Sequence, residues 1–166
     1  MEKRYVWEFT NQRKLTKKEF IDYFGRKVFR TIRKYGMLPS NKIIKLKESG
    51  DLNTMVLVEV LEKKFKVRLV ASGAGANFSS ENLSQIAEDV FGNVLGGKFA
   101  GPKPEDKKKR PLYFHSDKEV ELYAKLVGIK GTKRKQDKKV QSLFEKFLKK
   151  NQDLEMNVVG ALSQLK

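Results

Sequence analysis

The sequence predicts an α/β fold, a small parallel sheet with a helical lead before it and a helical segment after it. Three observations predict this. Apolar residues at helical spacing follow a capped start at Thr16. A strand, turn, helix, strand succession fills residues 42–71. Amphipathic stretches separated by glycine and basic turns then run to the C-terminus, with no internal repeat.

Taken in order, residues 4–9 alternate loosely, with Tyr5, Trp7 and Phe9 on one side, and predict a short strand. These aromatics read as core residues rather than surfaces for base stacking. Phe20, Phe24, Val28 and Ile32 then recur every four residues, with Ile21 beside them, which predicts an amphipathic helix. Thr16 with Glu19 three residues on is a capping box, and Gly36 and Pro39 mark the end. Arg26, Arg30 and Arg33 fall at i, i+4 and i+7, away from the apolar stripe. Arginine without interleaved acid favours phosphate contact over a merely solvated face.

Lys42 to Lys47 predicts a strand, Glu48 to Asp51 a turn, Leu52 to Lys64 a helix with Val56, Val60 and Leu61 inward, and Lys66 to Ala71 a second strand. Such a unit implies parallel strands with a right-handed crossover. The turn Ser72 to Asn77 leads to a helix expected to begin at Ser79 or Ser80, burying Leu83, Ile86, Ala87, Val90 and Val94, and stopped by Gly96 and Gly97. Residues 100–111 hold three prolines and the run Lys107, Lys108, Lys109, Arg110, and predict a mobile loop. Ser116 and Glu119 form a second capping box for a helix to Val127. A second basic loop, residues 128–136, contains Lys133, Arg134 and Lys135. Val140, Leu143, Phe144, Phe147 and Leu148 predict an amphipathic helix, and a last helix is expected from Met156 to Leu165. The expected organisation is a strand and basic helix over 1–40, an α/β core over 41–100, and a basic loop with a helical segment over 101–166, packed as one compact unit.

Net charge narrows the partners. The chain carries 36 basic and 20 acidic residues, a formal charge of +16. A heat- or salt-adapted surface would hold the two signs near balance. The excess is also uneven: residues 1–40 carry +7, residues 41–102 carry +1, residues 103–150 carry +9 and residues 151–166 carry −1. A near-neutral middle between two basic segments favours a nucleic acid. There is no cysteine, which excludes disulfides, thiolate metal sites and cysteine nucleophiles. A single histidine, His115, excludes a histidine-based metal site, and it reads as a surface or capping residue without a catalytic role. No metal and no cofactor are expected. No apolar run is long enough to span a membrane, and Met1 to Tyr5 lack the apolar stretch of a signal peptide, so a cytoplasmic location is expected.

Four segments resemble the PP-loop ATPases that thiolate tRNA, the TtcA and TtuA types and their eukaryotic cytoplasmic relatives. Phe20 to Leu38 looks like the helix that precedes their nucleotide-binding domain. Lys42 to Leu61 follows the family's strand, Ser-Gly turn and apolar helix. Gly75 to Gly97 resembles their Gly-His-Asn-Leu-Asp-Asp-Glu segment with its helix. Arg110-Pro111-Leu112, Lys118 to Ala124 and Gly128-Ile129 look like the part after the nucleotide domain. The resemblance covers most of the chain. It implies a reduced, Rossmann-like, PP-loop-derived core, and it implies that a block with the family's central cysteines is missing between Lys64 and Lys66.

The departures from the family pattern bear on activity. Its phosphate loop reads Ser-Gly-Gly-Lys-Asp-Ser. The matching residues here are Ser49, Gly50, Asp51, Leu52, Asn53 and Thr54. Asp51 brings a negative charge to the phosphate position, Leu52 removes the cation, and Asn53 weakens any Mg²⁺ site. Each change costs about 1–3 kcal/mol of nucleotide affinity on the scale of a lost charged partner. The second motif stands as Gly75, Ala76, Asn77, Phe78, Ser79, Ser80 and Glu81, with both Asp replaced by Ser, a good helix cap. A Gly-Xaa-Gly turn without the lysine reads as ordinary strand-to-helix punctuation. The resemblance therefore implies a degenerate member, a pseudoenzyme. The favoured function is a non-catalytic, RNA-binding accessory or partner subunit in wobble-uridine 2-thiolation, alongside an active thiolase subunit, as in eukaryotic cytoplasmic thiolation. Expected tRNA contacts are Arg26, Arg30, Arg33, Lys107, Lys108, Lys109, Arg110, Lys133, Arg134 and Lys135. Two alternatives stay open: a minimal ATP-dependent thiolase or adenylating enzyme, and a basic structural oligomerisation module.

Overall fold

A computed structural model describes residues 2–98, 107–148 and 153–163. β1 (Tyr5–Glu8) and β2 (Lys14–Thr16) pair antiparallel, with Trp7 opposite Leu15. Then come α1 (Lys17–Lys34), β3 (Ile43–Lys47), α2 (Leu52–Leu61) and β4 (Lys66–Val70). A 3₁₀ turn at Gly73–Gly75 precedes α3 (Leu83–Leu95), α4 (Asp117–Val127), α5 (Lys138–Leu148) and α6 (Leu154–Ser163). β3 and β4 pair in parallel, from Ile43 opposite Lys66 to Lys47 opposite Val70, so the expected βαβ unit is present. The fold class is α/β, a two-stranded parallel sheet among helices.

Local chemistry fixes the helix starts. At α1, the Thr16 hydroxyl accepts from the Glu19 amide, and Glu19 accepts from the Thr16 amide at 2.7 Å. Ser116 and Glu119 repeat the device at α4. Gly128, at φ +80°, ends α4 in the left-handed conformation that disfavours side chains.

The main core gathers Phe20, Phe24, Val28 and Ile32 of α1, Ile44 and Leu46 of β3, the buried face of α2, and Val120 and Tyr123 of α4. Phe24 stacks on Tyr123 with ring centroids 4.4 Å apart. Full burial of each such side chain is worth about 1.5–3 kcal/mol. A second cluster joins Leu83, Ile86, Ala87 and Val90 of α3 with Tyr113, Val140 of α5 and Val159 of α6.

Several expectations are corrected. β2 was not foreseen: three residues with one inward side chain, Leu15, leave no alternation to read. α2 ends at Leu61 rather than Lys64, the chain turning as Lys64 and Phe65 both donate to the Leu61 carbonyl. α3 begins at Leu83 rather than Ser79 or Ser80, because Asn82 is the cap and its side chain accepts from Gln85. Trp7 and Phe9 pack against the core, but Tyr5 is half exposed. His115 is fully buried, not at the surface. Its ring lies 4.4 Å from Phe24, and Nε2 meets the Phe24 carbonyl at 3.2 Å. Burial, then the nearby charge of Lys27, holds its pKa well below the usual value, so it is neutral. Much of the expected mobile loop, residues 99–106, lies outside the described residues. Its end is anchored, since Lys109 accepts from the Ser79 amide at 2.7 Å and Arg110 pairs with Glu81. The side chains of Phe144, Phe147 and Leu148, and the end of the last expected helix at Leu165, also lie outside it.

Candidate nucleic-acid interface

The turn from β3 into α2 is where an anion would meet the helix amides. Four amides open α2 without intrahelical partners, those of Asp51, Leu52, Asn53 and Thr54. Three of them donate within the chain. The Asp51 amide donates to Ser49 Oγ at 3.1 Å, Leu52 to the Thr132 carbonyl at 2.8 Å, and Thr54 to Asp51 Oδ1 at 2.7 Å. Thr132 donates back to the Gly50 carbonyl at 2.9 Å, a parallel bridge between the second basic loop and the turn. The Asp51 carboxylate complements the positive end of the helix dipole, as a bound phosphate would.

The loop lies close. A Cβ on Gly131 would sit 3.1 Å from the Leu52 Cα and 3.2 Å from both the Gly50 oxygen and the Leu52 nitrogen. Only glycine fits there without movement. The cavity beside the helix start, bordered by Leu52, Asn53, Lys133 and Arg134, measures about 10 Å³. That is about one water, against the several hundred Å³ of a ligand pocket.

The second motif meets the first. Thr54 Oγ1 and Ser80 Oγ lie 2.9 Å apart and share a hydrogen bond. Asn77 serves the sheet: its Oδ1 accepts from the Lys45 amide at 2.8 Å, and its Nδ2 donates to the Ile43 carbonyl at 3.1 Å. Ser79 Oγ accepts from the Glu81 amide at 3.3 Å, while Gly75 and Ala76 close the 3₁₀ turn through Ser72 and Gly73. The two motif segments are thus brought together, with hydroxyl, amide and carboxylate groups bonded among themselves.

The basic residues divide into two kinds. Arg26, Arg30 and Arg33 are exposed along α1, with Arg26 beside Asp22 at 3.0 Å. Lys108, Lys109 and Lys135 are exposed, and Lys107 is half-buried over the Tyr113 ring. Lys133 is exposed and reaches Glu121 at 3.6 Å. Arg110 and Arg134 turn inward. Arg134 retains 11% of its side-chain exposure, binds both oxygens of Asp117 and reaches Glu88 at 3.0 Å. Burial alone would lower its pKa, but the hydrogen bonds and charges of Asp117 and Glu88 reverse the sign and hold it above the ordinary value. Asp117 also accepts from Asn82 and Gln136, so this arginine ties the second basic loop to α3 and α4. Within a Lys-Arg-Lys run, the arginine was the one signal of a planar, bidentate internal pair.

Sequence reasoning missed a cavity of about 590 Å³ between β1, α1 and α6, walled by Trp7, Tyr23 and Phe114. Its residues come from separate parts of the chain, and no local pattern announces them.

Fold and site together define a class, the α/β architecture of a PP-loop tRNA thiolase with the phosphate turn bonded to its own chain. The solved structure that shares the fold is the U34-tRNA thiolase NcsA from Methanococcus maripaludis with its [4Fe-4S] cluster, at a TM-score of 0.72 and 16% identity. The match covers 97% of this chain and 84% of that one, and at this identity it is a likeness of fold. No family profile matches the chain, and no curated protein sequence is similar to it. An iron–sulfur cluster held by cysteine thiolates does not fit these residues, because the chain has no cysteine. Among the described residues no helix is long and apolar enough to cross a membrane.

Proposed function

We propose that this chain is a non-catalytic tRNA-binding protein with a thiolase fold, acting as an accessory or partner subunit in wobble-uridine 2-thiolation in the cytoplasm. The observation that carries the proposal is the start of α2. Its amides donate to Ser49, Asp51 and Thr132, and Asp51 places a carboxylate where the β-γ phosphates of ATP would need a cation. Binding ATP there would require breaking the Thr132 bridge and burying phosphate against a carboxylate. Either step alone costs about 1–3 kcal/mol.

The cationic surface supports the RNA half of the proposal. Arg26, Arg30 and Arg33 of α1, with Lys107, Lys108, Lys109, Lys133 and Lys135, contact phosphate, while Arg110 and Arg134 hold the scaffold beneath them. Recognition runs through backbone charge and shape. Purified protein incubated with ATP, Mg²⁺ and tRNA tests both halves. tRNA is expected to be retained on a filter, with no AMP formed above a protein-free control. AMP formed in step with tRNA modification would overturn the proposal in favour of a minimal enzyme.

A further inference from the structure

The cavity of about 590 Å³ is separate from the α2 turn and falls within the size range of small-molecule sites. Its walls are aromatic: Trp7 from β1, Tyr23 from α1, and Phe114 from the turn before α4. Phe9 packs edge-on to Tyr23 at 5.2 Å and completes that wall. Two buried polar atoms of lining residues have no hydrogen-bond partner, Trp7 Nε1 and Glu155 Oε2. An unmet donor and an unmet carboxyl oxygen in one cavity are unfavourable unless a ligand with both an acceptor and a donor meets them. Burial pushes the Glu155 carboxyl above its usual range, which favours the neutral acid, able to donate as well as accept.

The rim supplies the second half of a ligand. Tyr23, Lys27, Arg30 and Lys34 run along one side of α1 and border the cavity. Lys27 is held by Glu119 at 3.2 Å, which leaves Arg30 and Lys34 as the cations of this helix that reach the opening without that tie. Arg30 also belongs to the row Arg26, Arg30, Arg33. The cavity thus combines flat apolar walls, one donor and one acceptor inside, and positive charge at the edge. Those features match a nucleobase carrying a phosphate.

We propose that this cavity binds a nucleotide, with the base between Trp7 and the facing aromatics, its polar edge at Trp7 Nε1 and Glu155, and its phosphate at Arg30 and Lys34. Two sources share that chemistry, a nucleotide extruded from bound RNA and a free mononucleotide. The first rests on the tRNA-binding function proposed above; the second does not.

Trp7 is the sole tryptophan, so its fluorescence reports the cavity directly. Titration of the full chain with each nucleoside 5′-monophosphate is expected to change that emission saturably, and ribose 5-phosphate, which lacks a base, is not. Arg30→Gln is expected to raise the half-saturating concentration about tenfold, the scale of one charged hydrogen bond. Glu155→Gln preserves shape and is expected to alter the preference among the four bases. Circular dichroism on each variant separates loss of binding from loss of fold. If tRNA moves the Trp7 emission and displaces the mononucleotide, the occupant is an RNA nucleotide. If tRNA binds on a filter while mononucleotide stays bound, the site takes a free nucleotide. No saturable change with any of the four monophosphates up to about 10 mM, in a folded protein whose Trp7 emission tRNA also leaves unmoved, overturns the site and leaves tRNA binding untouched.

Discussion

Arg134→Ala is expected to destabilise the protein by about 3 kcal/mol. The side chains of Arg134, Glu88 and Asp117 keep only 11%, 13% and 19% of their exposure, so all three charges are largely out of water. Breaking a buried pair by removing one partner costs about 3–5 kcal/mol, because the other charge stays buried. The lower end applies here. Glu88 keeps the Asp137 amide at 2.6 Å, and Asp117 keeps Asn82 at 2.8 Å and Gln136 at 3.2 Å. An exposed pair would be worth about 0–1 kcal/mol. Urea unfolding followed by circular dichroism measures the difference. Replacing all three with Arg134→Met, Glu88→Gln and Asp117→Asn removes the stranded charges and is expected to recover most of the loss. A loss below about 1 kcal/mol for the alanine variant would refute the reasoning, by showing that solvent already screens the cluster.

Other expectations follow from single features. His115 binds fewer protons folded than unfolded beneath its ordinary value of 6.5, so stability is full above about pH 6.5 and falls by up to about 1.4 kcal/mol per pH unit as pH drops below it. His115→Phe is expected to flatten that dependence in urea titrations at pH 7.5 and 5; an unchanged slope would assign it to other groups. Gly131→Ala drives a methyl against the α2 backbone and is expected to cost about 1–3 kcal/mol. It should also speed amide exchange at Leu52 and Thr132; unaltered protection there would mean that the loop does not seal the helix start. Replacing Arg26, Arg30 and Arg33 by Gln is expected to weaken tRNA binding and to lower the slope of log K against log salt by about 2, with an unchanged slope counting against the α1 face.

The parts of the fold legible in the sequence were those written locally. α1 and α4 carry capping boxes and one-sided apolar spacing, and both were readable to within a residue at their starts. The strands flanking α2 were readable because β-branched and apolar residues sit between clear turns. What stayed hidden depends on residues far apart in the chain. The bridge from Thr132 to Gly50 closes the α2 turn, yet nothing near Gly131 marks it except the glycine itself. His115 looked like a cap residue because it precedes Ser116, but its surroundings come from Phe24, far back along the chain. Arg134 looked like its lysine neighbours until the carboxylates of α3 and α4 converged on it. The departures at Asp51 and Leu52 were visible as a loss of phosphate chemistry. How the vacated amides are satisfied required the fold.

The central claim is that a thiolase fold here serves RNA and a partner rather than ATP chemistry. A gentle pull-down of the tagged protein from its own cells, with RNA and proteins both identified, tests it most directly. The account predicts recovery of tRNA together with a full-length thiolase that carries cysteines. Recovery of neither, from cells in which the protein is abundant, would contradict it.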